Sequence, residues 1–171
     1  MTFDTISVDD LLVPLWLNNS HHMHLSEQKD LIVRFIDEIW NNGNTNNLDT
    51  FLHPAYKDYS LPAGLPVDAT GLKQWVAMVH ESFQPQTVIE EHLAEPGHCM
   101  VRISMQMKHT GLWRGIPATG QTAVTSGFRS FAFKDGRIIE HRALMDGNTL
   151  EQQLRAAADI TGCQPKTTGN G

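Results

Sequence analysis

The chain has 171 residues, of which 40% are hydrophobic and 19% are charged, and its formal net charge is −6. This length allows one domain with a sizeable core and excludes two domains of ordinary size. The negative charge and the lack of a basic stripe argue against a nucleic-acid-binding protein, and no apolar run approaches the roughly 20 residues of a membrane span.

The first segment, residues 1–24, shows neither helix nor strand periodicity and is predicted to be an extension. Its apolar patch, Leu11 to Leu17, follows acidic residues, whereas a secretory signal begins with positive charge. We therefore expect a cytoplasmic protein. The two cysteines, Cys99 and Cys163, fall in a predicted strand and a predicted tail, so a disulfide is not expected.

Helical periodicity dominates the next part of the chain. Apolar residues recur at three- and four-residue spacing from Leu31 to Trp40, after a predicted N-cap at Ser26. A short helix is predicted over 47–52. Thr70 is predicted to cap a further helix, which ends before Pro85.

The pattern then changes to the alternation typical of strands. Strands are predicted over 88–93, 101–108, 124–133 and 138–146. Asp135-Gly136 indicates a two-residue hairpin loop, in which Lys134 pairs with Arg137. Without a bulge, this register places Arg129 opposite Arg142, Phe131 opposite Glu140 and Thr125 opposite Asp146.

A final helix is predicted from Leu150 to Ala158, followed by a polar tail at 162–171 that we expect to be disordered. Helices first and consecutive antiparallel strands afterwards predict an α+β domain, with helices covering one face of a curved sheet. We place this domain at residues 25–161.

Two motifs in the last third of the chain resemble those of a known family. The stretch from His109 to Gly120 reads H-T-G-x-x-x-G-I-P-x-T-G and resembles a signature of SnoaL-like polyketide cyclases and ester cyclases. The run from Asp135 to His141, the aspartate at 146 and the Leu150, Gln153 and Leu154 pattern resemble the strand and helix that follow in that family. The resemblance covers about residues 28 to 155.

The resemblance implies a fold of the nuclear transport factor 2-like superfamily. In this fold a curved antiparallel sheet, with N-terminal helices packed on its concave face, forms a cone around an apolar pocket. Characterised members include cofactor-free cyclases that close a polyketide ring by intramolecular aldol condensation, and their catalytic aspartate corresponds to Asp146. The superfamily also implies a homodimer that pairs through the outer sheet face.

Aldol closure requires a group that removes and returns a proton at neutral pH. A free aspartate has a pKa near 3.9, so Asp146 must lie in an apolar pocket that raises this pKa. The alternative is that Asp146 only caps the last helix, and the sequence leaves it open. His109 follows three inward apolar positions, and we expect it at the pocket rim, where it polarises a substrate carbonyl or serves only as a structural histidine.

Several further side chains are candidates for substrate binding. Arg142 and Glu140 lie on the predicted hairpin beside Phe131, although a solvated charged ladder is an alternative for that strand. The candidate pocket walls, for which ordinary core packing is the alternative, are Tyr59, Trp75, His80, Phe83 and Trp113. We find no metal-binding signature, phosphate loop or nucleophile elbow, so no metal or cofactor is expected.

Three functions are compatible with these observations. The first is a cyclase or isomerase that acts by acid/base chemistry on a hydrophobic, carbonyl-bearing, polyketide-like molecule, with Asp146 and His109 as catalytic residues. The second is an ester or epoxide hydrolase in the same pocket, using Glu140, Arg142 and Asp146. The third is a non-catalytic ligand-binding module that dimerises through a face predicted to carry Val124, Phe128, Ile139, Ala143 and Met145.

Overall fold

A computed structural model describes residues 23–161 and confirms the α+β fold. The predicted extension up to residue 22 and the tail from residue 162 lie outside the described residues, and the domain boundaries stay predictions. The helices are α1 (Leu25–Phe35), α2 (Leu48–Phe51), α3 (Ala69–Ser82) and α4 (Gly147–Thr161), with a π-helical turn at Ile36–Asn41 and a 3₁₀ turn at Thr45–Asn47. The strands are β1 (Leu52–Asp58), β2 (Phe83–Glu95), β3 (His98–His109), β4 (Thr122–Lys134) and β5 (Arg137–Met145).

The five strands form one sheet in the order β1-β5-β4-β3-β2. The pairs from β2 to β5 are antiparallel, as predicted, but β1 pairs with β5 in parallel. A parallel pair requires a long connection, and here α3 and three strands separate β1 from β5. This pairing sets Asp58, the last residue of β1, directly beside His141 of β5.

The core lies between the inner face of the sheet and the helices. In β3 one face of the strand is exposed to solvent and alternate residues are buried. The buried residues are Cys99, Val101, Ile103, Met105, Met107 and His109. The first helical segment contributes Leu31, Ile32, Phe35, Ile36 and Ile39. Each fully buried Ile or Phe side chain stabilises the fold by roughly 1.5–3 kcal/mol. No helix in the described part of the chain is long and apolar enough to cross a membrane.

Helices α1 and α3 each begin at a different cap from the one predicted. His24, rather than Ser26, is the N-cap of α1, and its N–H donates to Glu27 Oε2 at 2.8 Å. Asp68, rather than Thr70, caps α3 by accepting hydrogen bonds from the backbone N–H groups of Thr70 and Gly71. A carboxylate accepts from the first-turn N–H groups and also favours the positive end of the helix dipole.

The widened turn after α1 places an aromatic ring over the sheet. In this π-helical turn Trp40 is buried, and the next side chain, Asn41, bonds to the backbone of Thr87 on β2. The Thr87 N–H donates to Asn41 Oδ1 at 2.7 Å, and Asn41 Nδ2 donates to the Thr87 carbonyl at 3.2 Å. These bonds fix the end of the turn and thereby the position of Trp40.

A bulge in β5 changes which of its side chains point inward. Lys134 pairs with Arg137, as predicted for the two-residue loop, but Phe133 pairs with Ile138 and Ala132 with Glu140. Ile139 is therefore an extra residue, and every later side chain of β5 switches face. The predicted pairing of Arg129 with Arg142 is wrong, because Arg129 pairs with Ala143 and Arg142 pairs with Ser130. The other two predicted pairs shift likewise, and Phe131 stands opposite His141.

The outer face of the sheet also differs from the prediction. Val124 and Phe128 are exposed there, as expected, but Ala143 and Met145 line the interior cavity. Leu144 takes the outward position and is 75% exposed. The pairing of two copies through this face stays a prediction.

Candidate active site

A cavity of about 380 Å³ lies between the inner face of the sheet and the helices. Its walls include aromatic rings and methionine side chains, namely Trp40, Trp75, Phe83, Met105, Met107, Trp113 and Met145. Trp75, Phe83 and Trp113 therefore lie at the cavity as predicted, although their contact with a substrate stays a prediction. A cavity of this size and apolar lining is typical of small-molecule sites.

Two ionisable side chains meet at the wall of this cavity. Asp58 and His141 end up on neighbouring positions of β1 and β5, and His141 Nδ1 lies 2.8 Å from Asp58 Oδ2. Both residues are 1% exposed and both line the cavity. They form a buried carboxylate–imidazole pair that faces an apolar chamber.

The Asp58 carboxylate has hydrogen-bond donors on both oxygens. Oδ1 accepts from the backbone N–H and the hydroxyl of Ser60, and Oδ2 accepts from the Tyr56 hydroxyl and from His141. Burial raises the pKa of Asp58, but the hydrogen bonds from His141 and Ser60 outweigh it and hold the pKa at about 2. Burial and the nearby Asp58 charge raise the pKa of Tyr56, so its hydroxyl keeps its proton.

The neighbours of His141 determine which ring nitrogen carries the proton. Its Nε2 lies 3.4 Å from Nη1 of Arg129, which can only donate a hydrogen bond, so Nε2 accepts. Nδ1 therefore carries the proton and donates it to Asp58. Burial lowers the pKa of His141, and the Arg129 cation lowers it further against the attraction of Asp58. The lowered pKa favours the neutral imidazole, in which the Nε2 lone pair faces Arg129.

Arg129 reaches the same place from β4. It is 3% exposed, lines the cavity, and its guanidinium carbon lies 3.8 Å from the centre of the Trp40 ring. Burial lowers the pKa of Arg129 to about 10 against the attraction of Asp58, so the side chain is a cation at neutral pH. The site combines an ionised carboxylate, a neutral imidazole and a buried guanidinium.

Asp146 lies outside this site, and the prediction that it is buried in the pocket is wrong. The bulge at Ile139 turns it toward solvent, where its Oδ1 accepts a hydrogen bond from the Thr149 backbone N–H and caps α4. This contact with Thr149 lowers the pKa of Asp146, whereas a base at neutral pH needs a raised one. The alternative that Asp146 caps the last helix is the one observed.

His109 is fully buried rather than at the cavity rim. Its Nδ1 contacts the Thr119 hydroxyl at 3.2 Å and accepts from the Thr119 backbone N–H at 3.3 Å, while the ring stacks on Phe83. Burial lowers the pKa of His109. These bonds hold the loop around Thr119 against the end of β3, which is the structural role that the sequence left open for His109. His109 is not among the residues that line the cavity.

The remaining candidates lie elsewhere in the molecule. Arg142 is exposed on the outer face, where it pairs with Glu140 at 3.7 Å and covers the Tyr59 ring at 4.1 Å. The same bulge turns Glu140 and Arg142 away from this cavity, and Tyr59 does not line it either. The predicted position of these three residues at the pocket is therefore wrong, whereas their contact with a substrate stays a prediction. His80 bonds to the Trp40 carbonyl, and Phe131 is a core residue that stacks on His141 at 4.9 Å.

Three residues of the site were not predicted from the sequence, namely Asp58, Arg129 and His141. Arg129 carried a detectable signal, because it alternates with Phe131 and Thr125 on the apolar side of its strand. Asp58 ends an extended segment, and it meets His141 only because β1 pairs with β5 in parallel. In the described residues 23–161 no three side chains are arranged to hold a metal ion.

Comparisons with known proteins agree with this architecture. A profile of the family described as SnoaL-like polyketide cyclase matches residues 30–154. The structure of TsrD from Streptomyces laurentii superposes with a TM-score of 0.70 at 21% identity, covering 78% of this chain and 98% of TsrD. A candidate polyketide cyclase from Acidithiobacillus ferrooxidans gives a TM-score of 0.71 at 26% identity, covering 80% and 99%.

A SnoaL-like polyketide cyclase from Agrobacterium tumefaciens is more distant, with a TM-score of 0.61 at 15% identity and coverage of 74% and 96%. A search of curated protein sequences found no match. The structural likenesses confirm the nuclear transport factor 2-like fold, and the profile spans most of the described domain. The chain therefore belongs to the SnoaL-like polyketide cyclase family.

Proposed function

We propose that this protein is a cyclase or isomerase that acts on a hydrophobic, carbonyl-bearing small molecule, with His141 as its general base and acid. The observation that carries the proposal is the buried hydrogen bond between Asp58 and His141 at the cavity wall. Asp58 holds the imidazole in one tautomer and stabilises the imidazolium that forms during proton transfer. Asp58 is thus a positioning residue.

The proposed reaction begins with removal of a proton from the carbon next to a substrate carbonyl. In the proposed reaction the Arg129 guanidinium moves from its 3.4 Å contact with His141 Nε2 to the substrate oxygen. The freed Nε2 accepts the proton, and the C–H electron pair forms an enolate whose oxygen is stabilised by the guanidinium. The enolate carbon then attacks a second carbonyl carbon, so that a C–C bond forms and the C=O π bond breaks. The new alkoxide takes the proton from His141, which returns the base to its starting state.

The cavity lining supports this chemistry. The apolar part of the lining lowers the local dielectric constant, which strengthens the interaction of Arg129 with a developing negative charge. The same lining suits an aromatic or polycyclic substrate, since thioethers and rings pack favourably against aromatic faces. Isomerisation follows the same first step, with the proton returned to a different carbon.

The proposal can be tested without the natural substrate. 2-Tetralone is a bicyclic ketone with an activated C–H group, and NMR in D₂O follows exchange of that proton. We expect the wild-type protein to accelerate exchange, His141→Gln to abolish the acceleration, and Asp58→Asn to lower it by roughly 10²–10⁴-fold. Asp146→Asn is the matched control and should exchange at the wild-type rate.

Thermal unfolding of each variant separates a chemical effect from a loss of structure. Exchange that is no faster than in buffer would contradict the proposal. So would a folded His141→Gln variant with the wild-type rate.

A further inference from the structure

The guanidinium of Arg129 is buried with few hydrogen-bond partners in the described part of the chain. It has five N–H donors, yet its one hydrogen-bond contact within residues 23–161 is the 3.4 Å contact from Nη1 to His141 Nε2. Its Nε is buried without any partner. A charged donor group removed from water in this way normally has a carboxylate or several acceptors around it.

Asp58 does not fill that role. Both of its oxygens are engaged by Ser60, Tyr56 and His141, and no carboxylate oxygen of the described residues lies within 4.0 Å of an Arg129 nitrogen. Asp58 attracts Arg129 through space only. The cation therefore lines the cavity without a bonded counter-ion.

Trp40 adds a second donor at the same place. Its ring lies under the Arg129 guanidinium, and its Nε1 is also buried without a partner. Trp40 and Arg129 both line the cavity. Two adjacent groups thus offer N–H donors where the described protein supplies no acceptor, and leaving such donors unpaired is costly.

We infer that this cavity binds the carboxylate of an apolar substrate, held by the Arg129 guanidinium beside the Trp40 ring. A planar guanidinium matches the two oxygens of a carboxylate, and the aromatic and methionine walls take the apolar body. This inference rests on the proposed function for its role in catalysis, and it narrows the substrate class from a carbonyl compound to a carbonyl compound that also carries a carboxylate.

Calorimetric titration with 2-naphthoate and its neutral analogue 2-naphthamide tests the inference. We expect naphthoate to bind at least ~10-fold more tightly than the amide, because only the anion neutralises the guanidinium. Arg129→Met keeps the length and the apolar stem, and should remove this preference. Arg142→Met, which removes an exposed arginine from the outer face of the neighbouring strand, is the matched control and should retain it.

A second pair of variants shows where the ligand binds. Ala143→Phe fills the cavity from β5 and should abolish naphthoate binding, whereas Leu144→Phe changes the adjacent, outward side chain and should not. Equal affinity for the acid and the amide would overturn the inference, as would naphthoate binding that survives in folded Arg129→Met. Because 2-tetralone has no carboxylate, proton exchange in this ketone tests the proposed function separately from carboxylate binding. Accelerated exchange without a preference for naphthoate over naphthamide would overturn only the inference. A preference for naphthoate without accelerated exchange would overturn only the proposed function.

Discussion

Arg129 shows how a single buried side chain can identify a site. Removing a guanidinium from water costs several kcal/mol unless a bonded counter-ion offsets the loss. Arg129 is 3% exposed and has no carboxylate of the described residues within 4.0 Å. An apolar side chain of the same length would pack there at lower cost, so packing alone gives no reason for an arginine. We infer that its role is in binding.

Asp146, in contrast to Arg129, has a structural role. Its sequence motif suggested a catalytic residue, but its side chain caps a helix. It lies where β5 ends and α4 begins, so its carboxylate can either enter the cavity or accept from the first turn of α4. The two options differ by one strand position, and the sequence alone does not distinguish them. The Thr149 N–H, 3.0 Å from Oδ1, settles its position at the cap.

Substitutions at Asp146 should therefore change stability and leave catalysis intact. Asp146→Ala removes the acceptor for the first turn of α4 and should lower the melting temperature by a few degrees. Asp146→Asn is the matched control, because asparagine is an equally good N-cap and should preserve the melting temperature. Differential scanning calorimetry measures both. An unchanged melting temperature in the alanine variant would show that the cap is not needed.

At the scale of the element, β5 decides the composition of the site. A regular strand that continued from the buried Ile138 would place Arg142 and Asp146 inside and His141 outside. One extra residue, Ile139, reverses this arrangement. Side-chain periodicity predicts that a strand has two faces, but it does not show where a residue is inserted. The direction of the strand was predictable, and the identity of its inner face was not.

The close approach of β4 and β5 beside the cavity depends on Gly127. This residue pairs with Met145, and a Cβ at position 127 would lie 2.6 Å from the Leu144 carbonyl oxygen and would also meet the Met145 sulfur. The carbonyl belongs to the backbone and cannot move independently. A side chain at position 127 must therefore displace the end of β5 and with it part of the cavity wall.

Gly127→Ala should lower the free energy of unfolding by about 1–3 kcal/mol, the usual cost of overpacking. Ser126→Ala, at the neighbouring outward position, is the control and should change it by less than about 0.5 kcal/mol. Urea unfolding followed by circular dichroism measures both values. If the two variants unfold at the same urea concentration, the close contact does not constrain the sheet.

For the whole molecule, the sequence predicted the architecture better than the site. The helical periodicity, the alternating strands and the Asp135-Gly136 loop each depend on local rules, and the structure confirms the fold that they imply. The site depends on Asp58 and His141, which are 83 positions apart in the chain. They meet only because β1 lies at the sheet edge and pairs in parallel with β5. No local sequence pattern predicts such a pairing.

The buried charges also determine how the whole molecule responds to acid. The native pKa of His141 is lowered below its ordinary 6.5, so below that pH the unfolded chain binds a proton that the native state does not. The native pKa of Asp58 is about 2, against an ordinary 3.8, so its stabilising contribution is present above 3.8 and is lost as the pH falls toward 2. Both groups therefore destabilise the fold as the pH decreases.

The protonation state of His141 tests the account most directly, because the proposed base must be neutral with its proton on Nδ1. A ¹⁵N NMR titration resolves the two ring nitrogens, and the spectrum of His141→Gln identifies the signal among nine histidines. We predict a neutral ring at pH 7 with the proton on Nδ1 and a pKa below 6.5. A ring that is charged at pH 7, or that carries its proton on Nε2 when neutral, would contradict the assignment of His141 as the base.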